Sequence, residues 1–200
     1  MSKRNKLSKF EDIMSYPNVY QNFSPKEIKP MGQGGKVVQL KGKWAEHFGD
    51  QKPITLELAC GRGEYTIQLA RDYTDRNFIG VDVKGARIWK GATMALSEGL
   101  DNVAFMRTKI EVIEEFFAPN EISEIWITFA DPFLGKPNRR LTAPDFHDRY
   151  KRILIDGGVV NMKIDDLTLY EFTKEVLAER DDVKILYDRD NIYSQPLDFP

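Results

Sequence analysis

The sequence holds a single cysteine, Cys60, and only two histidines, His47 and His147, among 200 residues. One thiol makes neither an internal disulfide nor a thiolate metal site, and two imidazoles argue against a zinc cluster, so no metal is expected. Long apolar runs are also missing. Uncharged apolar stretches reach about seven residues, against the roughly 20 that span a bilayer, and the polar start Met1-Ser2-Lys3-Arg4-Asn5-Lys6 lacks an apolar signal core. A cytoplasmic protein that does not enter membranes is expected. Any chemistry must then come from carboxylates, backbone loops and an organic cofactor. What is abundant fits that picture: 42% hydrophobic and 30% charged residues describe one globular domain of ordinary size.

Charge is distributed unevenly behind a net value of −2. Residues 1–52 carry ten Lys/Arg against five Asp/Glu, whereas residues 53–200 carry nineteen against twenty-six. A second basic stretch, 136–152, has six Lys/Arg against Asp145 and Asp148. Two separate segments are thus suited to a polyanion, although such counts alone also describe a solvated face.

The first 52 residues mix Pro17, Pro25, Pro30 and the Gly32-Gln33-Gly34-Gly35 run with scattered aromatics, which reads as an arm and linker closed by a short helix over 41–49. Over 53–200, apolar runs of five to seven residues alternate with amphipathic segments, the pattern of βαβ units. Strands are expected over 54–59, 78–83, 103–107, 122–129, 159–163 and 183–187, and helices over 64–72, 84–98, 110–117, 144–154 and 167–179. Thr142 and Asp145 are placed to serve the N-terminus of the helix that starts at Pro144. The implied fold class is α/β, a doubly wound, mostly parallel sheet whose ligands sit beyond the carboxyl ends of the strands.

At those ends the sequence places its acids and glycines. The first expected strand runs into Glu57-Leu58-Ala59-Cys60-Gly61-Arg62-Gly63-Glu64, a glycine turn opening a helix, where backbone can approach a ligand closely. The second ends in Asp82, 19 residues after Gly63, an acid placed to accept both hydroxyls of a ribose. The turn lacks the Gly-x-Gly-x-x-Gly spacing of pyrophosphate sites and no Walker lysine follows, so an adenosine cofactor without pyrophosphate is expected. Glu57 would repel phosphate and suit a cation such as the amino-acid end of S-adenosyl-L-methionine; pinning the turn amides is an equally open role. The fourth strand delivers Ile125-Trp126-Ile127-Thr128-Phe129-Ala130-Asp131-Pro132-Phe133, and Lys136, Arg139 and Arg140 follow in the same loop, an acid beside a cationic rim suited to phosphates. The fifth ends in Lys163-Ile164-Asp165-Asp166, with Asp165 expected to face the site and Asp166 to cap the next helix.

Together these residues resemble the bacterial tRNA (guanine-N7)-methyltransferases, class I enzymes that use S-adenosyl-L-methionine. The likeness runs from about Asn5 to Arg180. It rests on Glu57 to Gly63 for the family's Glu-Ile-Gly-x-Gly-x-Gly-like turn and on Phe78-Ile79-Gly80-Val81-Asp82 for its second strand. Phe129-Ala130-Asp131-Pro132-Phe133 with Arg139-Arg140-Leu141 matches its Phe-Pro-Asp-Pro-Trp-like loop. The basic start Arg4-Asn5-Lys6 and the stretch 10–21 look like the family's tRNA-contacting arm.

The resemblance implies a Rossmann-like methyltransferase domain over 53–200 and methyl transfer to N7 of a guanine in tRNA, the variable-loop guanine in this family. It further implies an enzyme with Asp131 as catalytic residue; separately, a monomer is expected. Glu57, Gly61, Gly63, Asp82, Thr108, Lys109 and Asp131 would surround the cofactor; Lys136, Arg139, Arg140 and Asp165 would meet the tRNA. Four departures stand out. Ala59 replaces the first glycine of the turn, tolerable where its φ is negative. Lys109 replaces the acid that holds the adenine amino group, leaving that task to Thr108 or a backbone carbonyl. Ile164 replaces a threonine. The chain ends at Pro200 without a counterpart of the family's last antiparallel strand and its Thr-x-x-Glu-like segment, so it is either cut short or ends naturally there. Two other functions stay open on sequence: a silent RNA-binding module of the same fold, and methylation of an exocyclic amine.

Overall fold

The computed structural model describes residues 5–192 and 194; Arg4 and Pro200, both invoked above, lie outside them. Its strands are β1 (Val19–Gln21), β2 (Ile54–Leu58), β3 (Asn77–Asp82), β4 (Val103–Arg107), β5 (Ile122–Thr128) and β6 (Leu154–Lys163). They form one sheet in the order β1-β4-β3-β2-β5-β6, each neighbour parallel to the next. Strands β2 and β3 are buried at every residue, which is why their sequences read as nearly continuous apolar runs.

The helices are α1 (Lys6–Ser15), α2 (Trp44–Phe48), α3 (Glu64–Asp72), α4 (Gly85–Glu98), α5 (Pro144–Ile153) and α6 (Leu167–Ala178). Alternation along the strands assigns each side chain to a face. Leu56, Leu58, Ile79, Val81, Ala104, Met106, Ile125 and Ile127 join α2, α5 and α6 in one apolar cluster. Phe78, Phe105 and Trp126 join α1, α3 and α4 in the other. Among the described residues no helix is long and apolar enough to cross a membrane.

Several elements depart from the sequence reading, each for a physical reason. Val19–Gln21, inside the segment read as arm and linker, is an edge strand. Phe105 N–H donates to Asn18 O and Asn22 N–H to Arg107 O, both at 2.8 Å. Three residues are too few to show a period. The helix α1 before it is capped by Asn5, whose side chain accepts from Ser8 N–H at 2.9 Å. It docks on α4 through Trp89 Nε1–H to Asp12 Oδ2 at 2.8 Å and a Tyr16–Thr93 hydroxyl pair at 2.9 Å. Trp44 of α2 has no exposed surface and donates its indole N–H to Phe116 O at 3.0 Å, anchoring the arm to the domain.

The strand expected over 183–187 is absent: that stretch is irregular and Val183, Ile185, Leu186 and Tyr187 are exposed, with no face to bury against. The helix expected over 110–117 is a tight 3-10 turn, Ile110–Glu115, broken at Val112. Strand β6 begins earlier than expected because a bulge opposite Ile122 and Glu124 absorbs Gly157, whose φ is +71°. Thr142 does not cap α5. Ala143 holds the cap position ahead of Pro144, and the Thr142 hydroxyl instead accepts from Thr173 Oγ1 at 2.9 Å.

Candidate active site

From β2 the chain winds outward through β3 to β4, then returns to lay β5 against the other side of β2. The carboxyl ends of β2 and β5 therefore lead into connections that diverge, leaving the crevice where such sheets bind ligands. The turn after β2 occupies one wall of it. Gly61 and Gly63 have φ of +58° and +70°, a region that a side chain disfavours. Gly63 is also pressed from below: a Cβ there would lie 2.5 Å from Phe105 Cε1, and Cβ atoms on Gly80 and Gly91 would lie 2.8 and 2.7 Å from the same ring. Three glycines thus form a seat for Phe105 that lets α3 and α4 close on the sheet. A Cβ on Gly61 would meet only Ala59 O at 4.0 Å, so the space over the turn is open.

Ala59 does not meet the condition under which it replaces a glycine without strain: its φ is +60°. Left-handed backbone costs an L-residue about 1–2 kcal/mol, partly offset in glycine by its larger loss of chain entropy. Ala59→Gly is therefore expected to stabilise the fold by about 1 kcal/mol, seen as a higher urea midpoint at an unchanged slope.

Glu57 is buried and held by the protein through both carboxylate oxygens. One carboxylate oxygen accepts from Thr66 N–H at 2.8 Å and from Thr66 Oγ1; the other accepts from Thr128 Oγ1 at 2.9 Å. These bonds tie the first turn of α3 to the end of β5. Burial pushes its pKa up against the opposing pull of those hydrogen bonds, with the nearby Asp82 charge adding to the rise. Cys60, buried beside both acids, has its thiol pKa pushed well up and is no nucleophile.

Asp82 spans the crevice floor, accepting from Gly61 N–H at 3.0 Å and from Lys84 N–H at 2.6 Å with different oxygens. Each oxygen keeps a lone pair for a ribose hydroxyl. Beside it, Thr108 N–H donates to Asp82 O at 3.2 Å, and the Thr108 hydroxyl is buried with no hydrogen-bond partner. An orphaned buried hydroxyl is costly unless a ligand satisfies it. Open space over Gly61, residual acceptors on Asp82 and the Thr108 hydroxyl together fit an adenosine cofactor. Lys109 is exposed at the entrance to the following turn.

The other wall is the loop after β5. Phe129 and Phe133 have φ of +51° and +40°, uncommon for bulky side chains and a mark of local strain. Between them Asp131 is exposed, its Oδ1 accepting from Phe133 N–H at 2.9 Å. Lys136 and Arg139 are exposed along the rim, Arg139 lying 4.9 Å above the Phe133 ring. Arg140 is not part of that rim. It is only 5% exposed, donates from Nε to Pro132 O at 2.8 Å, and stacks at 4.4 Å on Phe172 of α6. Counting charges could not separate it from its neighbour Arg139. Its position makes it a brace for the Asp131 loop rather than a phosphate contact. Asp165 is exposed after β6, while Asp166 caps α6 by accepting from Leu169 N–H at 2.8 Å, as expected.

Sequence reasoning missed the two threonines that hold Glu57, since hydroxyls carry no charge or period to announce them. It also missed Arg107, whose guanidinium lies 5.0 Å from each of the Phe10 and Phe23 rings and fastens the arm to the end of β4.

Comparison with known proteins agrees with this geometry. Residues 51–198 match a family described as putative methyltransferase. The chain is 47% identical over 178 residues to a tRNA (guanine-N(7)-)-methyltransferase of Bacteroides fragilis, covering 88% of this chain and 68% of that one. It is 47% identical over 196 residues to the protein of that name from Christiangramia forsetii, covering 96% and 84%. Among solved structures, an rRNA methylase from Streptococcus thermophilus superposes with a TM-score of 0.54 at 20% identity, covering 74% of this chain and 83% of that one. The 16S rRNA methyltransferase KamB superposes with a TM-score of 0.54 at 15% identity, covering 75% and 70%; both show the shared fold. By its motifs, its sheet and its relatives, the chain belongs to the tRNA (guanine-N7-)-methyltransferase family.

Proposed function

We propose that this chain transfers the methyl group of S-adenosyl-L-methionine to N7 of a guanine in tRNA, with Asp131 as the group that acts on the reacting base. One observation carries the assignment of Asp131: its loop and the Gly61–Gly63 turn flank the same switch point of the sheet, held together by the Glu57–Thr128 hydrogen bond. When bound, the cofactor would supply an electrophilic methyl group on a cationic sulfur, which would keep the electron pair of the carbon–sulfur bond as the in-plane lone pair of guanine N7 takes the methyl. No proton leaves N7, so the task is alignment and exclusion of water rather than base catalysis.

The product base is cationic. Asp131 stabilises the growing positive charge or accepts from the guanine N1–H and amino group. Asp82 holds the ribose of the cofactor, Gly61 and Gly63 let it approach the backbone, and Thr108 takes the adenine amino group in place of the acid that Lys109 replaces. Lys136 and Arg139 contact tRNA phosphates, a contribution that weakens with salt, and Asp165 faces the RNA from the next strand.

Incubation with unmodified tRNA and labelled cofactor, followed by digestion and mapping of the modified atom, tests the reading. The expected product is 7-methylguanosine. Label on an exocyclic amine would replace N7 transfer by amine methylation. Absence of both label and cofactor binding at millimolar concentration would leave a silent RNA-binding module.

A further inference from the structure

Phe129 follows the last residue of β5 and stands two positions before Asp131. Its backbone is fixed in the left-handed region, φ +51°, by an N–H that donates to Lys163 O at 2.8 Å. Residues at strand ends adopt this conformation when something is gained by it. Packing is not what is gained, because the side chain remains 53% exposed, and among the described residues no aromatic ring or cation stacks on it. Phe133, the other strained aromatic of the loop, differs on this point, since Arg139 covers its ring. Strain without burial leaves the ring displayed at the carboxyl edge, next to the exposed carboxylate.

A bare aromatic face beside an acid suits a flat, polar heterocycle that stacks on the ring and hydrogen-bonds at its rim. We propose that Phe129 is the stacking platform for the target guanine, placing the base in the plane where Asp131 reaches its edge; this rests on the methyl-transfer reading above. The reaction strengthens the contact. As N7 gains its methyl group the purine becomes cationic, and the electron-rich face of a phenyl ring attracts a cation more than a neutral base. Stabilisation that grows toward the transition state appears in kcat rather than in KM.

Three variants and one probe test this. Phe129→Leu, apolar but without a π face, is expected to lower kcat by about 10- to 100-fold with KM for tRNA and cofactor affinity by calorimetry unchanged. Phe129→Trp is expected to stay within a few-fold of the parent. Phe129→Gly is expected to raise the urea midpoint while lowering kcat, a combination that a merely structural side chain does not give. The probe is a tRNA transcript with 2-aminopurine at the target position, whose fluorescence is quenched by stacking. Its complex with Phe129→Leu should be several-fold brighter than its complex with the parent. Equal brightness, or kcat of the folded Leu variant within twofold of the parent, overturns the platform. A parent protein that quenches the probe yet methylates no guanine N7 would sink the methyl-transfer reading and leave the stacking contact standing.

Discussion

Asp131→Ala is expected to leave the fold intact and to lower methyl transfer to unmodified tRNA by at least about a hundredfold, the scale of losing one well-placed electrostatic group. The first half follows from exposure. The carboxylate makes one hydrogen bond, to Phe133 N–H, and an exposed bond of that kind contributes about 1 kcal/mol or less. The second half follows from position, since no other described carboxylate shares the loop after β5 with it. Asp131→Asn sharpens the test. The amide oxygen can keep the bond to Phe133 while the charge is lost, so a defect equal to that of alanine assigns the effect to charge and an intact rate assigns it to loop shape. Turnover of Asp131→Ala within twofold of the parent would remove the residue from the reaction.

The largest expected effect on stability is at Gly63. Gly63→Ala asks an L-residue to hold φ +70° and places a methyl group 2.5 Å from a ring with no exposed surface. The backbone contributes about 1–2 kcal/mol and the overpacking about 1–3 kcal/mol, so the variant is expected to lose about 3 kcal/mol or more in urea unfolding. Phe105→Leu alone opens a cavity and destabilises as well. Combined, the two should cost clearly less than the sum of the singles, because the smaller side chain frees the volume the methyl needs. Strict additivity would show that the ring and the glycine do not press on one another.

How much of this was legible beforehand depended on whether a residue's role leaves a periodic or chemical trace. The runs around Leu56, Ile79, Phe105 and Ile125 announce buried parallel strands because both faces need apolar side chains. The stretch 183–187 carries a similar trace and forms no strand. A strand also needs a neighbour to pair with, which no local pattern can supply. For β1 the reverse holds: β4 provides the pairing, and three residues suffice. In the site, Glu57, Asp82 and Asp131 stood out as candidates because acids at the ends of apolar strands call for a partner, whether protein or ligand. The division of labour between them was not readable. That Glu57 is bonded to Thr66 and Thr128, and that Arg140 braces the loop from within while Arg139 stays exposed over Phe133, are facts of direction in space. The strain at Ala59 was hidden in the same way, since the residue's identity does not reveal the sign of its φ.

The edge strand β1 has a consequence for how the protein is made. Val19 pairs with Phe105, so β1 leaves the ribosome with about two fifths of the 200-residue chain still to come before its partner. Contacts of such long sequence separation form late, after the intervening loop has been closed. The helix α1, with Phe10 and Ile13, packs on α4, so a nascent chain stalled before α4 would present those side chains to chaperones. Truncated translation products ending before Gly85 should therefore be captured by them more strongly than products ending after α5.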